Sequence, residues 1–325
     1  MKARQVLITA PAHPCLQEGF EKAGYEVTVQ LAPDNEWLAA NLYRFRGIVV
    51  SSRPVIDRDL LDVAIELRWI ARLGSGMEHI DVEYATSRGI RCISSPEGNS
   101  GAVAEHAVGM LLNLMKQISA SAEEVKRGIW IRDMQRGELL TEKVVGIIGL
   151  GNTGLAFAHL LASFGVIVFA HDKYKTGFST PYIREVTLAE LQKYAQVISL
   201  HLPLTAETLH YADPAFFRAL EKKPYFINTG RGGLVDTNAL IDALAQQQIA
   251  AAALDVLENE QPTTFSAAEK ARMDKLFSDP RVLITPHIAG YSKQSFKKMS
   301  EVILSKLRLG DPEPPEIPDI DWTAP

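Results

Sequence analysis

Four ionisable side chains stand just past short apolar runs in the second half of the sequence. Arg231 follows Phe226-Ile227-Asn228-Thr229-Gly230, Asp255 follows Ala250–Leu254, Glu260 lies five residues on, and His287 follows Leu283-Ile284-Thr285-Pro286. These types suit a reversible proton transfer beside an anion. A histidine titrates near neutral pH, so it can take a proton from a hydroxyl in one direction and return it to a carbonyl oxygen in the other. A carboxylate beside it orients the ring and stabilises the imidazolium. Glu260 is the candidate for that partner, and Glu258 is the fallback. The planar donor fork of Arg231 suits a carboxylate and a neighbouring carbonyl. Each residue also has an ordinary alternative: a turn histidine, an exposed arginine among glycines, an aspartate that caps the next turn. The set gains specificity from what precedes it.

Val144-Val145-Gly146-Ile147-Ile148-Gly149-Leu150-Gly151-Asn152-Thr153-Gly154 contains G-x-G-x-x-G. Gly149 permits a tight turn, Gly151 lets a pyrophosphate approach the backbone, and Gly154 lets a helix sit close on its strand. The following stretch, Leu155–Phe164, reads as a helix whose N-terminal amides and positive dipole end point at phosphates. Alone the motif is weak. Here it follows a strand, opens a helix, and precedes a second strand ending at Asp172, which is the context a dinucleotide fingerprint requires. Asp172 is placed to hydrogen-bond the ribose hydroxyls, and its charge disfavours a 2′-phosphate, which points to NAD. Lys173 and Lys175 beside it leave NADP open.

The elements that must position these residues form two series. Val6–Ala10, Tyr25–Gln30, Gly47–Ser52, Trp69–Leu73 and Arg91–Ser94 read as strands, with amphipathic stretches near 16–23, 36–43, 57–65 and 82–87 between them. Strand–helix alternation at this spacing predicts a parallel sheet with helices on both faces. Asn99 and Ser100 offer an N-cap for a longer helix with an apolar face of Val103, Ala107, Met110, Leu111 and Leu114. A second series follows, with strands at Val144–Ile148, Val166–Ala170, Val197–Leu202, Tyr225–Asn228, Ala250–Leu254 and Val282–Thr285. The stretch Ser292–Leu307 reads as a helix that packs back on the first series. In an open parallel sheet ligands bind beyond the carboxyl ends of the strands, which is where all four ionisable residues fall.

With 325 residues, two domains are expected. The net charge of −5 lacks the clustered cations of a nucleic-acid surface. Two cysteines, Cys15 and Cys92, make a disulfide framework or a cysteine-rich metal site an unsuitable reading and fit a reducing cytoplasm; no metal is expected. No signal-peptide core and no apolar run of membrane-spanning length is visible. The acidic, Pro-rich stretch Asp311–Pro325 reads as an extended or disordered arm. His13, His159, His171 and His210 have no chemical context, His106 reads as structural, and Glu78 and His79 are not placed in catalysis. Arg53 could dock an anion or simply be a solvated loop residue.

Several separated motifs occur in one order: Gly74-Ser75-Gly76-Met77-Glu78-His79-Ile80-Asp81, Asn99–His106, Gly146–Gly154, His201-Leu202-Pro203-Leu204-Thr205, Asn228–Asp236, Ala253-Leu254-Asp255-Val256 and Thr285-Pro286-His287-Ile288-Ala289-Gly290. Together they resemble the D-isomer-specific 2-hydroxyacid dehydrogenases, from about Gly47 to Tyr291. The resemblance implies an α/β fold of two Rossmann-like domains with the active site in a cleft. One is a flavodoxin-like substrate domain built from both chain ends (1–99 and 289–325); the other is an NAD-binding Rossmann domain (100–288). It implies NAD-dependent interconversion of a 2-oxo acid and a D-2-hydroxy acid, with Arg231, Glu260 and His287 catalytic.

It further implies that Ser75 and Gly76 hold the substrate carboxylate together with Arg231 and His287, and that Asp255 lies near the nicotinamide carboxamide. Thr205, Thr229, Gly230 and Arg231 line the cofactor, His201 and Pro203 its adenine side, and Asn152, Thr153, His287 and Gly290 complete the set. A homodimer formed through the helix near Ser100 is implied as well. One departure is that Gln261 intervenes between Glu260 and Pro262, and the stretch from Glu260 to His287 is long. The competing reading is an NAD-sensing binding protein like the corepressors of this family. A formate dehydrogenase is disfavoured, because that branch lacks a glutamate partner for its histidine.

Overall fold

A computed structural model describes residues 4–309; the Asp311–Pro325 arm lies outside them. The chain forms two compact units, one of residues up to Asn99 together with those from Ser292, the other Ser100–Tyr291.

The first unit holds β1 (Arg4–Ile8), β2 (Tyr25–Val29), β3 (Gly47–Val50), β4 (Trp69–Arg72) and β5 (Arg91–Ser94) in the order β2-β1-β3-β4-β5. All neighbours are parallel, and this is the flavodoxin-like order. Successive side chains leave opposite faces of the sheet. Leu7, Ile48 and Ile70 therefore join one apolar cluster, while Val6, Ile8, Val49 and Ala71 join another. The second cluster is completed by Met299, Ile303 and Leu304 of the helix Lys293–Leu307, which packs on the helix Pro14–Lys22 as the sequence suggested.

The second unit holds β6 (Val144–Ile148), β7 (Ile167–His171), β8 (Ile183–Glu185), β9 (Val197–Leu200), β10 (Tyr225–Asn228), β11 (Ala251–Leu254) and β12 (Val282–Ile284), ordered β12-β11-β10-β9-β6-β7-β8 and parallel throughout. Counted from β6, this is the Rossmann order with one strand added at the far edge. β9 and β11 are buried along their whole length, as the continuous apolar runs of a sheet covered on both faces require.

Three local readings are corrected. The long helix runs Pro96–Lys116, so Asn99 and Ser100 lie inside it rather than capping it. Proline starts a helix well because its missing N–H has no partner to lose in the first turn. Its apolar face is otherwise as expected, with Val103, Ala107, Met110 and Leu111 buried and Leu114 packed against them. The three-residue β8 has no apolar run to reveal it. The extra length between Glu260 and His287 is occupied by a helix, Ala267–Ser278, opened by a capping box in which Ser266 and Glu269 bond reciprocally. Among the described residues no helix is long and apolar enough to cross a membrane.

Candidate functional site

The glycine-rich turn leaves β6 at its carboxyl end. Gly149 takes φ +92°, a left-handed conformation, and its N–H donates to the His171 carbonyl at 2.8 Å. A Cβ there would meet the His201 carbonyl at 2.6 Å, and a Cβ on Gly154 would strike the Gly149 carbonyl. Only glycine fits either place. At Gly151, by contrast, a Cβ would meet open space, and no side chain caps the helix Asn152–Leu161 that starts there. The amides of Asn152, Thr153 and Gly154 thus form a free helix N-terminus suited to an anion.

Asp172 follows β7 and locks this turn. One carboxylate oxygen accepts from Leu150 N (2.9 Å), the other from Tyr174 N (2.9 Å) and Lys175 N (3.1 Å). Partial burial alone would raise its pKa; the three amide donors and the Lys175 ammonium outweigh that and hold the carboxyl below its ordinary value. The two nearby lysines are both engaged. Lys173 pairs with Glu207, and Lys175 Nζ donates to the Leu150 carbonyl at 2.7 Å.

Beyond β9, His201 turns inward. Its ring packs on Phe157, its Nε2 lies 2.9 Å from Ser199 Oγ, and burial pushes its pKa down to about 4. Pro203 and Thr205 are exposed in a turn stitched by Thr208, whose hydroxyl donates to the Pro203 carbonyl at 2.6 Å. Beyond β10, buried Asn228 shapes the next turn. Its Nδ2 donates to the Arg231 carbonyl (2.9 Å), and its Oδ1 accepts from Gly230 N (3.0 Å). That turn leaves Arg231 half-buried, with Nη1 on the Gly230 carbonyl (2.8 Å). It also leaves the Thr229 hydroxyl buried with no hydrogen-bond partner among the described residues. A buried polar atom without a partner costs about 1–3 kcal/mol, so the Thr229 hydroxyl is suited to a donor or acceptor on a ligand. The open approach at Gly151, the uncapped helix end, Asp172 and this hydroxyl together fit a dinucleotide.

Beyond β11 and β12 lies the titratable group. His287 Nδ1 is 2.9 Å from Glu260 Oε2, and both side chains are exposed, at 47% and 42%. Neither Glu260 nor His287 Nε2 has another partner among the described residues. His287 takes φ +54°, a left-handed conformation that costs a non-glycine residue about 1–2 kcal/mol. Asp255 maintains it. Its fully enclosed carboxylate accepts from Thr285 Oγ1 (2.5 Å), Ile288 N (2.9 Å) and Ala289 N (2.8 Å), while His287 N donates to the Asp255 carbonyl at 2.8 Å. Gly290 lies in the next turn, where Tyr291 N donates to the Ile288 carbonyl.

Glu258, the fallback partner, is engaged elsewhere. It accepts from His210 Nε2 at 2.7 Å and from both the N–H and the hydroxyl of Thr237. The insertion of Gln261 therefore leaves Glu260 as the residue that reaches His287.

In the first unit, Ser75 and Gly76 follow β4. Ser75 Oγ donates to Asn99 Oδ1 at 3.2 Å. The loop is held by Ser95, fully buried, whose hydroxyl accepts from Gly74 N and donates to the Arg72 carbonyl, both at 3.0 Å. Arg53, after β3, is exposed. Sequence reasoning gave Ser95, Asn228 and Thr237 no part; Ser95 and Asn228 are small polar residues at strand ends and Thr237 opens a helix, and only burial and partners mark them.

Residues 108–289 match the family described as D-isomer specific 2-hydroxyacid dehydrogenase, NAD binding domain. The chain is 31% identical over 305 residues to D-3-phosphoglycerate dehydrogenase of Sus scrofa, covering 92% of this chain and 55% of that protein. It spans about half the length of the curated relatives it matches. Among solved structures, D-lactate dehydrogenase of Aquifex aeolicus, complexed with NAD and lactic acid, superposes with a TM-score of 0.82 at 27% identity and 94% coverage of both chains. The NADPH-dependent glyoxylate/hydroxypyruvate reductase of Sinorhizobium meliloti, in complex with NADP and malonate, gives 0.78 at 29% identity, covering 94% of this chain and 93% of that one. The chain belongs to the D-isomer specific 2-hydroxyacid dehydrogenase family.

Proposed function

We propose that this protein is an NAD-dependent oxidoreductase that interconverts a 2-oxo acid and its D-2-hydroxy acid, with His287 as the acid and base. The observation that carries this reading is the His287–Glu260 pair. Glu260 fixes Nδ1 at 2.9 Å, and Nε2 stays available to take or give the substrate hydroxyl proton. Glu260, bonded to Nδ1, holds the ring in one orientation for both directions of the reaction. Arg231 supplies a cation and planar donors for the substrate carboxylate and the developing alkoxide. Within the first unit, the loop of Ser75 and Gly76 offers groups suited to a carboxylate, and exposed Arg53 is available to a more highly charged acid.

A bound nicotinamide supplies or accepts the hydride. The residues that hold the dinucleotide are the helix amides from Asn152 to Gly154 for the pyrophosphate, Asp172 for the adenosine ribose, and the 201–205 and 229–231 turns along its length. Asp172 stays ionised, and Lys173 and Lys175 are already engaged, so NAD is preferred over NADP. Candidate acids are those of the relatives: 3-phosphoglycerate and its oxidised form, lactate and pyruvate, glyoxylate and hydroxypyruvate. Self-association as a homodimer is proposed through the helix Pro96–Lys116; Trp130, in the segment beyond it, is 78% exposed. A cytoplasmic setting suits two unpaired cysteines.

The test is NADH oxidation at neutral pH over a panel of 2-oxo acids, with His287→Ala as control. Turnover that disappears in the control supports the reading, and the best acid names the substrate. NADH binding without turnover of any acid overturns it in favour of a dinucleotide-sensing binding protein.

A further inference from the structure

The helix Pro96–Lys116 carries His106, whose side chain is mostly enclosed (22% exposed). Its Nε2 lies 3.0 Å from Thr285 Oγ1 and 3.6 Å from Asp255 Oδ1. Thr285 Oγ1 is at the same time 2.5 Å from Asp255 Oδ1.

The order of donors follows from counting hydrogens. A threonine hydroxyl has one hydrogen, and an ionised carboxylate only accepts. The Met110 sulfur at 3.8 Å is a weak competitor for that hydrogen, so the hydroxyl donates to Asp255. Its oxygen is then left as an acceptor, and His106 must donate through Nε2–H. The chain reads His106 Nε2–H to Thr285 Oγ1–H to the Asp255 carboxylate. Asp255 in turn receives Ile288 N and Ala289 N on the far side of His287. Hydrogen bonds in such a chain polarise one another. The turn Thr285–Ala289 is what forces the left-handed backbone at His287.

We infer that His106 is a positioning residue: through Thr285 and Asp255 it sets the direction of the His287 imidazole. It does not itself touch substrate. The inference rests on the reading of His287 as the acid and base. It gives a positioning role to a histidine that the sequence reads only as structural, and it predicts a fixed His106 tautomer, with Nε2 protonated.

The test compares His106→Leu, which fills the space without a donor, with His106→Gln, which keeps an N–H donor at similar reach. Thr285→Val and Thr285→Ser break and keep the middle of the chain, should the leucine variant fail to fold. Two readouts are taken on the full chain. One is kcat and KM with the best acid. The other is 15N-histidine NMR of the protein alone, which reads each ring's tautomer without turnover.

We expect His106→Leu and Thr285→Val to lower kcat by about tenfold or more, the scale of a small misplacement of a reacting group. NADH affinity should stay within about twofold, and the His287 ring signals should move while those of His159 and His210 stay. Glutamine and serine should restore kcat to within about threefold. Unchanged His287 signals in the leucine variant, or a glutamine variant as damaged as leucine, would overturn the inference. If His287→Ala turns over like the wild type, the acid–base reading fails instead; the NMR comparison then still decides whether His106 orients His287.

Discussion

Two histidine–glutamate pairs in the second unit are of nearly equal length, His287–Glu260 at 2.9 Å and His210–Glu258 at 2.7 Å. Their distances do not distinguish them; their surroundings do. Glu258 is filled by Thr237 as well as by His210, and together they tie three loops that leave neighbouring strands. Among the described residues Glu260 holds nothing but His287, and the second nitrogen of that ring has no partner. One pair is closed and serves structure. The other is open on the side where a proton can be exchanged. Exposed ion pairs contribute only about 0–1 kcal/mol to stability, so the open pair is not maintained for the fold's sake.

The contrast breaks most sharply at the histidines. His287→Ala should lower kcat by about 10²–10⁴-fold with NADH binding and melting temperature nearly unchanged; a loss under tenfold in steady-state assays would remove the distinction. At the carboxylates, Glu260→Gln should reduce kcat by about 10–100-fold, since the carboxylate that orients the ring is lost but the proton carrier remains. The matching Glu258→Gln should leave kcat within about threefold. It should cost about 1–3 kcal/mol in urea unfolding, because its three bonds include two to Thr237.

A third histidine sharpens the comparison through pH. His201 has no carboxylate and is buried, with its pKa down at about 4. An unfolded chain takes up that proton near pH 6.5. As pH falls below about 6.5 the unfolded state therefore gains protons first, and stability declines until about pH 4, by about 3 kcal/mol in total. Urea titrations at pH 7, 5.5 and 4 should show this slope, and His201→Asn should flatten it. The smallest effect belongs to His210→Gln, which should change stability by under about 1 kcal/mol and kcat not measurably.

Much of this site can be read in the sequence because parallel strands advertise themselves. Buried on both faces, they are short apolar runs, and the residue after each run is the one presented. Arg231, Asp255 and His287 were found that way, and Gly149 and Asp172 by their spacing. Glu260 is preferred from the sequence with Glu258 as fallback, because two residues of loop decide between them and loop paths depend on distant anchors such as Thr237. The left-handed backbone of His287 was invisible: nothing in Thr285–Gly290 announces it, and it exists because buried Asp255 gathers the surrounding amides. The missed elements fail for equally physical reasons. β8 is too short and too polar to show a period, and the helix Ala267–Ser278 buries only Met273 and Leu276, so its Ser266–Glu269 capping box is the clearer signal.

Leu150 is held by both of its backbone groups, its N–H by Asp172 and its carbonyl by Lys175. The glycine-rich turn therefore loses its conformational freedom when the chain folds, not when a dinucleotide arrives. Association should accordingly carry little ordering entropy from this segment. The Leu150 amide should already be slow to exchange with deuterium in the unliganded protein.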